Sequence, residues 1–247
     1  MNRVLIWDVP TRTFHWLLAA GFAAAAGIAL ISSEHGIFFP YHAIIGLTLA
    51  LLVVMRIVWG LVGTRYARLG SFIFGPSALI AYFAGYLTGK GTRHIGHNPA
   101  SALAIFAMFA LVLGLAATGF MLGRGDERFE EVHELLAYAT MAVAGVHILG
   151  VIVHTVVHRE QITLSMIHGR KSAPASDAIT SAHPTVALLG LSIAVLFALG
   201  LVGNLDTTSQ RTTLPLTGLA IQIGENERPG LEKPEGTAQV EAPDDDD

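Results

Sequence analysis

The chain contains no cysteine. That absence removes disulfides, iron-sulfur clusters and CxxCH attachment of a covalent haem, so any cofactor must be held by histidine, methionine or oxygen ligands. Charge is scarce as well: Asp, Glu, Lys and Arg make up 14% of 247 residues, against 52% hydrophobic, where a soluble domain carries about a quarter charged residues. A water-soluble globule is thereby excluded, and the chain reads as an integral membrane protein. A cleavable leader is not expected, because Arg3 and Arg12 flank a mixed segment and no small-residue cleavage site follows the first apolar run.

Five apolar runs are long enough to cross a bilayer core of roughly 30 Å. After a short polar lead, MNRVLIWDVPTRT, they occupy Phe14 to about Ser32, Tyr41 to Val62, Ala100 to Leu122, Val132 to Val157 and Thr185 to Gly203. Between the second and third lies a loop containing Arg65, Arg68, Lys90 and Arg93 and no acidic residue; within it PSALIAYFAGYL, too short to span, reads as an interfacial helix starting at Pro76. With Arg56 left out, nine basic residues fall on the side of the N-terminus and this loop and five on the other. The positive-inside rule then places the N-terminus in the cytoplasm and the C-terminus outside. Residues 204–247 hold ten acidic residues, four prolines and a terminal DDDD, and read as a largely disordered periplasmic tail.

Histidines enter these runs at a matched pair of depths. In HELLAYATMAVAGVH, His133 and His147 are 14 residues apart, about 3.9 helical turns and roughly 21 Å along one face. His15 opens the first span at the cytoplasmic surface and His42 opens the second at the outer surface. Taken singly, His15 beside Trp16, His42 at a helix start and His133 at a loop edge are ordinary interfacial residues. Together they pair as His15 with His147 and His42 with His133, and intramembrane imidazoles mark functional sites. Two axial imidazoles on facing helices suit a six-coordinate haem iron built for electron transfer. His154, seven residues past His147 and roughly 10 Å nearer the cytoplasm, competes for the inner position. Arg56 either snorkels to the surface or pairs with a haem propionate. Asn98 either caps a helix ahead of Pro99 or meets a quinone carbonyl. His154 and His158 read as surface, propionate or quinone contacts. Gly46, Gly114, Gly119 and Gly145 would let helices, or a flat macrocycle, approach closely.

The segments WDVPTRTFHW, RIVWGLVGTRYARLGSF, GHNPAS, HELLAYATMAVAGVH and HREQITLSMIHGRK, spanning about residues 4–171, resemble the bacterial cytochrome b561 family, which is related to the b-type subunits of membrane nickel-iron hydrogenases and formate dehydrogenases. The resemblance implies an all-α fold: a four-helix transmembrane bundle over residues 1–171 holding two b haems, with His15, His42, His133 and His147 at the family's ligand positions. A cytoplasmic linker (172–184), a fifth transmembrane helix (185–203) and the tail (204–247) lie outside that core. It further implies a bacterial inner-membrane protein moving electrons between the quinone pool and a periplasmic redox partner, a c-type cytochrome or a dehydrogenase or hydrogenase subunit, with membrane lipid and no nucleic acid among its contacts. A stand-alone quinone reductase or superoxide oxidase, and a haem-free transporter using a histidine relay, are the competing expectations.

Overall fold

The computed structural model describes residues 2–32, 36–88 and 94–223. Seven α-helices dominate: α1 (Val9–Ile31), α2 (Phe39–Val62), α3 (Pro76–Leu87), α4 (Pro99–Leu122), α5 (Glu130–His158), α6 (Ile162–His168) and α7 (Pro184–Gly203). Among the described residues α1, α2, α4, α5 and α7 are long and apolar enough to cross a membrane, and α3 is the expected short apolar helix. Large side chains such as Leu30, Val62, Leu135 and Leu196 stay more than 60% exposed on their flanks, as lipid-facing groups do when the bilayer is the solvent.

The helices pair as antiparallel neighbours. α1 lies along α2, α4 along α5, and α2 joins the pairs through α4, while α7 packs on α1 and α2. Phe14, Leu49, Leu52, Trp59 and Ala194 form the core shared by α1, α2 and α7. α5 packs along α4 and does not pack closely on α1 or α2 among the described residues.

One end of this bundle is knitted by the segments that read as a polar lead and a linker. Strand β1 (Asn2–Leu5) pairs antiparallel with β2 (Arg170–Ala173), with Asn2 opposite Ala173 and Leu5 opposite Arg170. The turn into β2 requires Gly169: its φ is +80°, and a Cβ there would stand 2.6 Å from the Trp7 carbonyl oxygen. The described part of the 172–184 segment therefore does more than link, and α1 begins at Val9, five residues before the expected Phe14, so His15 sits in its second turn. The reason is Asp8, fully buried, whose Oδ1 accepts the Thr11 amide at 2.8 Å as helix cap with Pro10 in the first turn. Its Oδ2 accepts from Trp59 Nε1 (3.2 Å) near the end of α2 and from Thr64 Oγ1 (2.5 Å) just beyond it.

The other end is closed by part of the expected tail. Residues 204–223 are not disordered: β3 (Arg211–Thr213) and β4 (Ala220–Gln222) form a hairpin, whose Ile221 and Ile223 are buried with Ile44 of α2 and Leu201 of α7, against Phe120 and Phe197. Burying alternate apolar side chains supplies the order that composition alone denied. Residues 224–247, including the terminal DDDD, lie outside the described residues. The end carrying β1 and β2 bears Arg3, Arg12, Arg65, Arg68, Arg159, Arg170 and Lys171, and the hairpin end bears Asp126, Glu127, Glu130, Glu131, Glu134 and Asp206; they are called the basic and acidic ends below.

Asp8→Ala removes a helix cap and leaves two buried donors without an acceptor, effects of about 1 kcal/mol and 1–3 kcal/mol each. A loss of about 3–7 kcal/mol is expected in equilibrium unfolding of the detergent-solubilised chain. Asp8→Asn, which keeps the capping oxygen, should lose less.

Candidate functional site

At the acidic end the first turn of α5 brings His133 to face the first turn of α2, where His42 stands. Their ring centroids are 6.3 Å apart with planes inclined at 72°. Each imidazole has its Nδ1 engaged. His42 Nδ1 lies 2.9 Å from the Ala25 carbonyl oxygen of α1. A carbonyl only accepts, so Nδ1 carries the hydrogen. His133 Nδ1 lies 2.9 Å from Thr118 Oγ1 of α4, and the Thr118 hydroxyl donates its single hydrogen back to the Gly114 carbonyl at 2.9 Å. Thr118 must therefore accept from His133.

In both rings Nε2 is left as the nitrogen with a lone pair, the tautomer a metal-ligating histidine takes when its other nitrogen is held by an oxygen acceptor. One ion bound by both Nε2 atoms would set the centroids roughly 6 Å apart, from two metal–nitrogen bonds of about 2 Å and about 1 Å from each nitrogen to its ring centre. The inclination of the planes is no obstacle, since a nitrogen ligand bonds through its lone pair whatever the rotation of its ring about that bond. The surroundings leave width as well. Gly119 of α4 lies under the His133 ring, 3.4 Å from Cε1 to where a glycine Cβ would stand, whereas a Cβ at Gly46, one turn beyond His42, would meet no atom within 4 Å.

At the basic end His15 of α1 and His147 of α5 lie within electrostatic reach of one another. Among the described residues His15 Nδ1, which is buried, has no hydrogen-bond partner, and its ring stands edge-on to Trp16 at 5.1 Å. Thr11 Oγ1, Arg56 Nη1 and His97 Nδ1 are also buried and unpartnered here. Such groups cost about 1–3 kcal/mol each unless something bonds them. His154, buried at 7% exposure, holds Nε2 3.8 Å from Glu160, which also lies 3.6 Å from Lys171.

For two residues that admitted alternative readings, the structure shows the local contacts. Arg56 does not snorkel: it is 5% exposed, and its Nη2 donates to the Ala67 carbonyl at 3.1 Å, because the loop after α2 folds back over it. Asn98 caps α4, its Oδ1 accepting from Ser101 N at 2.8 Å while Ser101 Oγ accepts from Asn98 N at 3.0 Å. The His158 side chain lies outside the described residues. Sequence reasoning missed Thr118 as the partner of His133, and the burial of His97 against aromatic rings is not visible in the GHNPAS motif that contains it. His97 is packed 4.2 Å from the Phe72 ring and 4.7 Å from Trp7. Among the described residues no group of three or more His, Asp or Glu could cage a bare metal ion; the histidines come as pairs.

A family model for the prokaryotic cytochrome b561 matches residues 6–169. A protein of Rhizobium leguminosarum bv. viciae, described as a "Probable Ni/Fe-hydrogenase B-type cytochrome subunit", is 24% identical over 212 residues, covering 68% of this chain and 88% of its own. A counterpart with the same description in Rhodobacter capsulatus is 23% identical over 218 residues, covering 68% and 81%. The Escherichia coli K12 "Probable Ni/Fe-hydrogenase 1 B-type cytochrome subunit" is 25% identical over 140 residues, 47% of this chain and 59% of that one. No solved structure matches at the same stringency.

His97, outside the spanning helices, has its pKa pushed down to about 3 by burial first and by Arg56 and Lys171 second. It is neutral in the folded chain and protonates near pH 6.5 when unfolded. Stability from this group is therefore complete above pH 6.5 and falls by about 1.4 kcal/mol per pH unit below it. His97→Leu should flatten the pH dependence of unfolding between pH 4 and 6.5 by one proton; an unchanged slope would refute the assignment.

Proposed function

The chain belongs to the prokaryotic cytochrome b561 family, and on that premise we propose that it is a membrane electron-transfer cytochrome holding two haem b groups, one between His42 and His133 and one between His15 and His147. The observation that carries this reading is the acidic-end pair: two imidazoles on facing helices, 6.3 Å apart, each with Nδ1 already bonded to an oxygen and Nε2 left for a metal. These pairs would hold haem, which would supply one-electron iron chemistry there.

The chain's own groups hold, orient and insulate. The Ala25 carbonyl and Thr118 hydroxyl keep a proton on Nδ1 of His42 and His133 and fix the rotation of each ring, which raises ligand basicity. The apolar cluster of Ile44, Leu201, Ile221 and Ile223 keeps water away beside His42. At the basic end, Arg56 Nη1 offers a buried donor to a propionate carboxylate. His154 in its contact with Glu160 is a candidate to pass protons to a quinone, and Asn98 and His158 complete the proposed polar surroundings. His147 is preferred to His154 as the ligand opposite His15, because His154 is drawn to Glu160 while His147 lies in reach of His15.

The density of Arg and Lys supports a cytoplasmic basic end in a bacterial inner membrane, with quinone reacting there and a periplasmic partner meeting the acidic end. Relatives described as hydrogenase cytochrome subunits favour an oxidoreductase subunit as that partner.

A reduced-minus-oxidised spectrum with haem quantified per chain should give two b haems. His42→Ala or His133→Ala should each remove one and His15→Ala or His147→Ala the other. Thr118→Val should weaken retention of the first by roughly 10–100-fold. Haem absorbance absent from the purified chain would overturn the reading, and loss of the inner haem in His154→Ala but not in His147→Ala would move the ligand.

A further inference from the structure

The segment GTRYARLGSF, directly after α2, sets two arginines three residues apart where the chain leaves the apolar span. Arg68 is fixed by its Nε donating to the Gly63 carbonyl at 2.9 Å. Arg65 lies over the Tyr66 ring at 5.2 Å and 3.3 Å from Asp177, an ion pair whose arginine is 63% exposed and so weakly held.

These two residues line both of two adjoining open clefts. One, of about 480 Å³, runs past Gly60, Leu61 and Ser71. The other, of about 340 Å³, runs past Thr64, Thr180 and His183 at the start of α7. Neither holds any part of the histidine pairs. Immediately along α2 the surface turns apolar: Val58, Leu61 and Val62 are 55–70% exposed. Within the described loop residues 63–75 there are two arginines and no carboxylate.

A ligand fitting this arrangement carries an anionic group with several acceptor oxygens and an apolar body continuing along α2. Guanidinium forks match phosphate oxygens in bidentate fashion, and the Thr180 hydroxyl lines the second cleft as a further polar group; the hydroxyl hydrogens of Thr64 and Ser71 are taken by Asp8 and by the Arg68 carbonyl. Basic pockets between membrane helices at the surface of the bilayer are suited to lipid headgroups. We propose that the paired clefts about Arg65 and Arg68 form a binding site for the phosphodiester headgroup of an anionic phospholipid, its acyl chains lying on Val58, Leu61 and Val62. A soluble phosphate would use the arginines but leave the apolar face uncovered. The site lies where α2 meets α7, the helix beyond the family match, so a bound lipid would fasten that helix to the bundle.

The test is native mass spectrometry of the full chain in mild detergent, titrated with dioleoylphosphatidylglycerol and with dioleoylphosphatidylcholine. The wild type should bind the anionic lipid in preference. Arg65→Gln/Arg68→Gln should weaken that binding roughly thirtyfold, the product for two near-surface charges, and leave the zwitterionic lipid unchanged. Arg65→Gln alone, which leaves Arg68 on Gly63, should weaken it roughly fivefold, with far-UV circular dichroism unchanged. Arg3→Gln/Arg170→Gln, on β1 and β2 at the same end, should leave it as in the wild type. Equal binding of both lipids, an equal loss in the Arg3/Arg170 pair, or displacement of the lipid by millimolar inorganic phosphate would overturn the proposal.

Discussion

A single carboxylate, that of Asp8, sets the frame in which the histidines meet. A fully buried carboxylate is costly unless its oxygens are bonded, and here three donors from three segments supply those bonds: the Thr11 amide, the Trp59 indole and the Thr64 hydroxyl. Arg56 adds electrostatic attraction from the next turn of α2. The first turn of α1 is thus tied to the last turn of α2, and the axial register of this antiparallel pair is fixed. With that register set, His15 in the second turn of α1 and His42 in the first turn of α2 stand at opposite ends of the bundle. Lipid-facing packing alone tolerates sliding, because leucine against leucine differs little from leucine against an acyl chain. Directional bonds to a buried charge do not.

What the sequence made legible follows from the bilayer. The requirement for about twenty apolar residues per span bounds each crossing helix to within a few residues of the observed α2, α4, α5 and α7, and Pro76 marks α3. Histidines stand out against that background, and their depths follow from the span boundaries. The missed features depend on contacts distant along the chain. Strand β1 is four residues long and finds its partner at 170–173; no local pattern announces so short a pairing. Asp8 looks like one more polar residue before an apolar run, although Asp followed by Pro10 two places on is a helix-start signature. Arg56 admits two readings because its depth is visible in the sequence and the returning loop that offers the Ala67 carbonyl is not. The hairpin at 205–223 was hidden by the acidic residues that follow it: composition averaged over the whole tail conceals a short alternating segment whose isoleucines can be buried.

The two histidine pairs differ in how complete their surroundings are. At the acidic end each Nδ1 has an oxygen acceptor supplied by a neighbouring helix, and both acceptors belong to the regular backbone or to a hydroxyl anchored on it. Such a site holds its protons and has none to give. At the basic end, buried polar atoms of Thr11, His15, Arg56 and His97 lack partners, and a second group of ionisable residues, His154, Glu160 and Lys171, lies close by. A haem edge takes up an electron without needing a proton partner, whereas a quinone gains protons with its electrons and needs polar groups that can donate.

The asymmetry bears on which end exchanges electrons alone and which couples them to protons. The acidic end is sealed by tight hydrogen bonds and by a hairpin whose isoleucines close over α2 and α7, conditions that suit the proposed transfer of electrons without protons. The basic end combines unsatisfied donors, a neutral buried imidazole at His97 and carboxylate contacts near the surface. Placing the proton-coupled step at the basic end and the electron-only step at the acidic end requires only groups already positioned by the fold. The reverse assignment would ask the acidic-end imidazoles to release protons that the Ala25 carbonyl and the Thr118 hydroxyl hold in place.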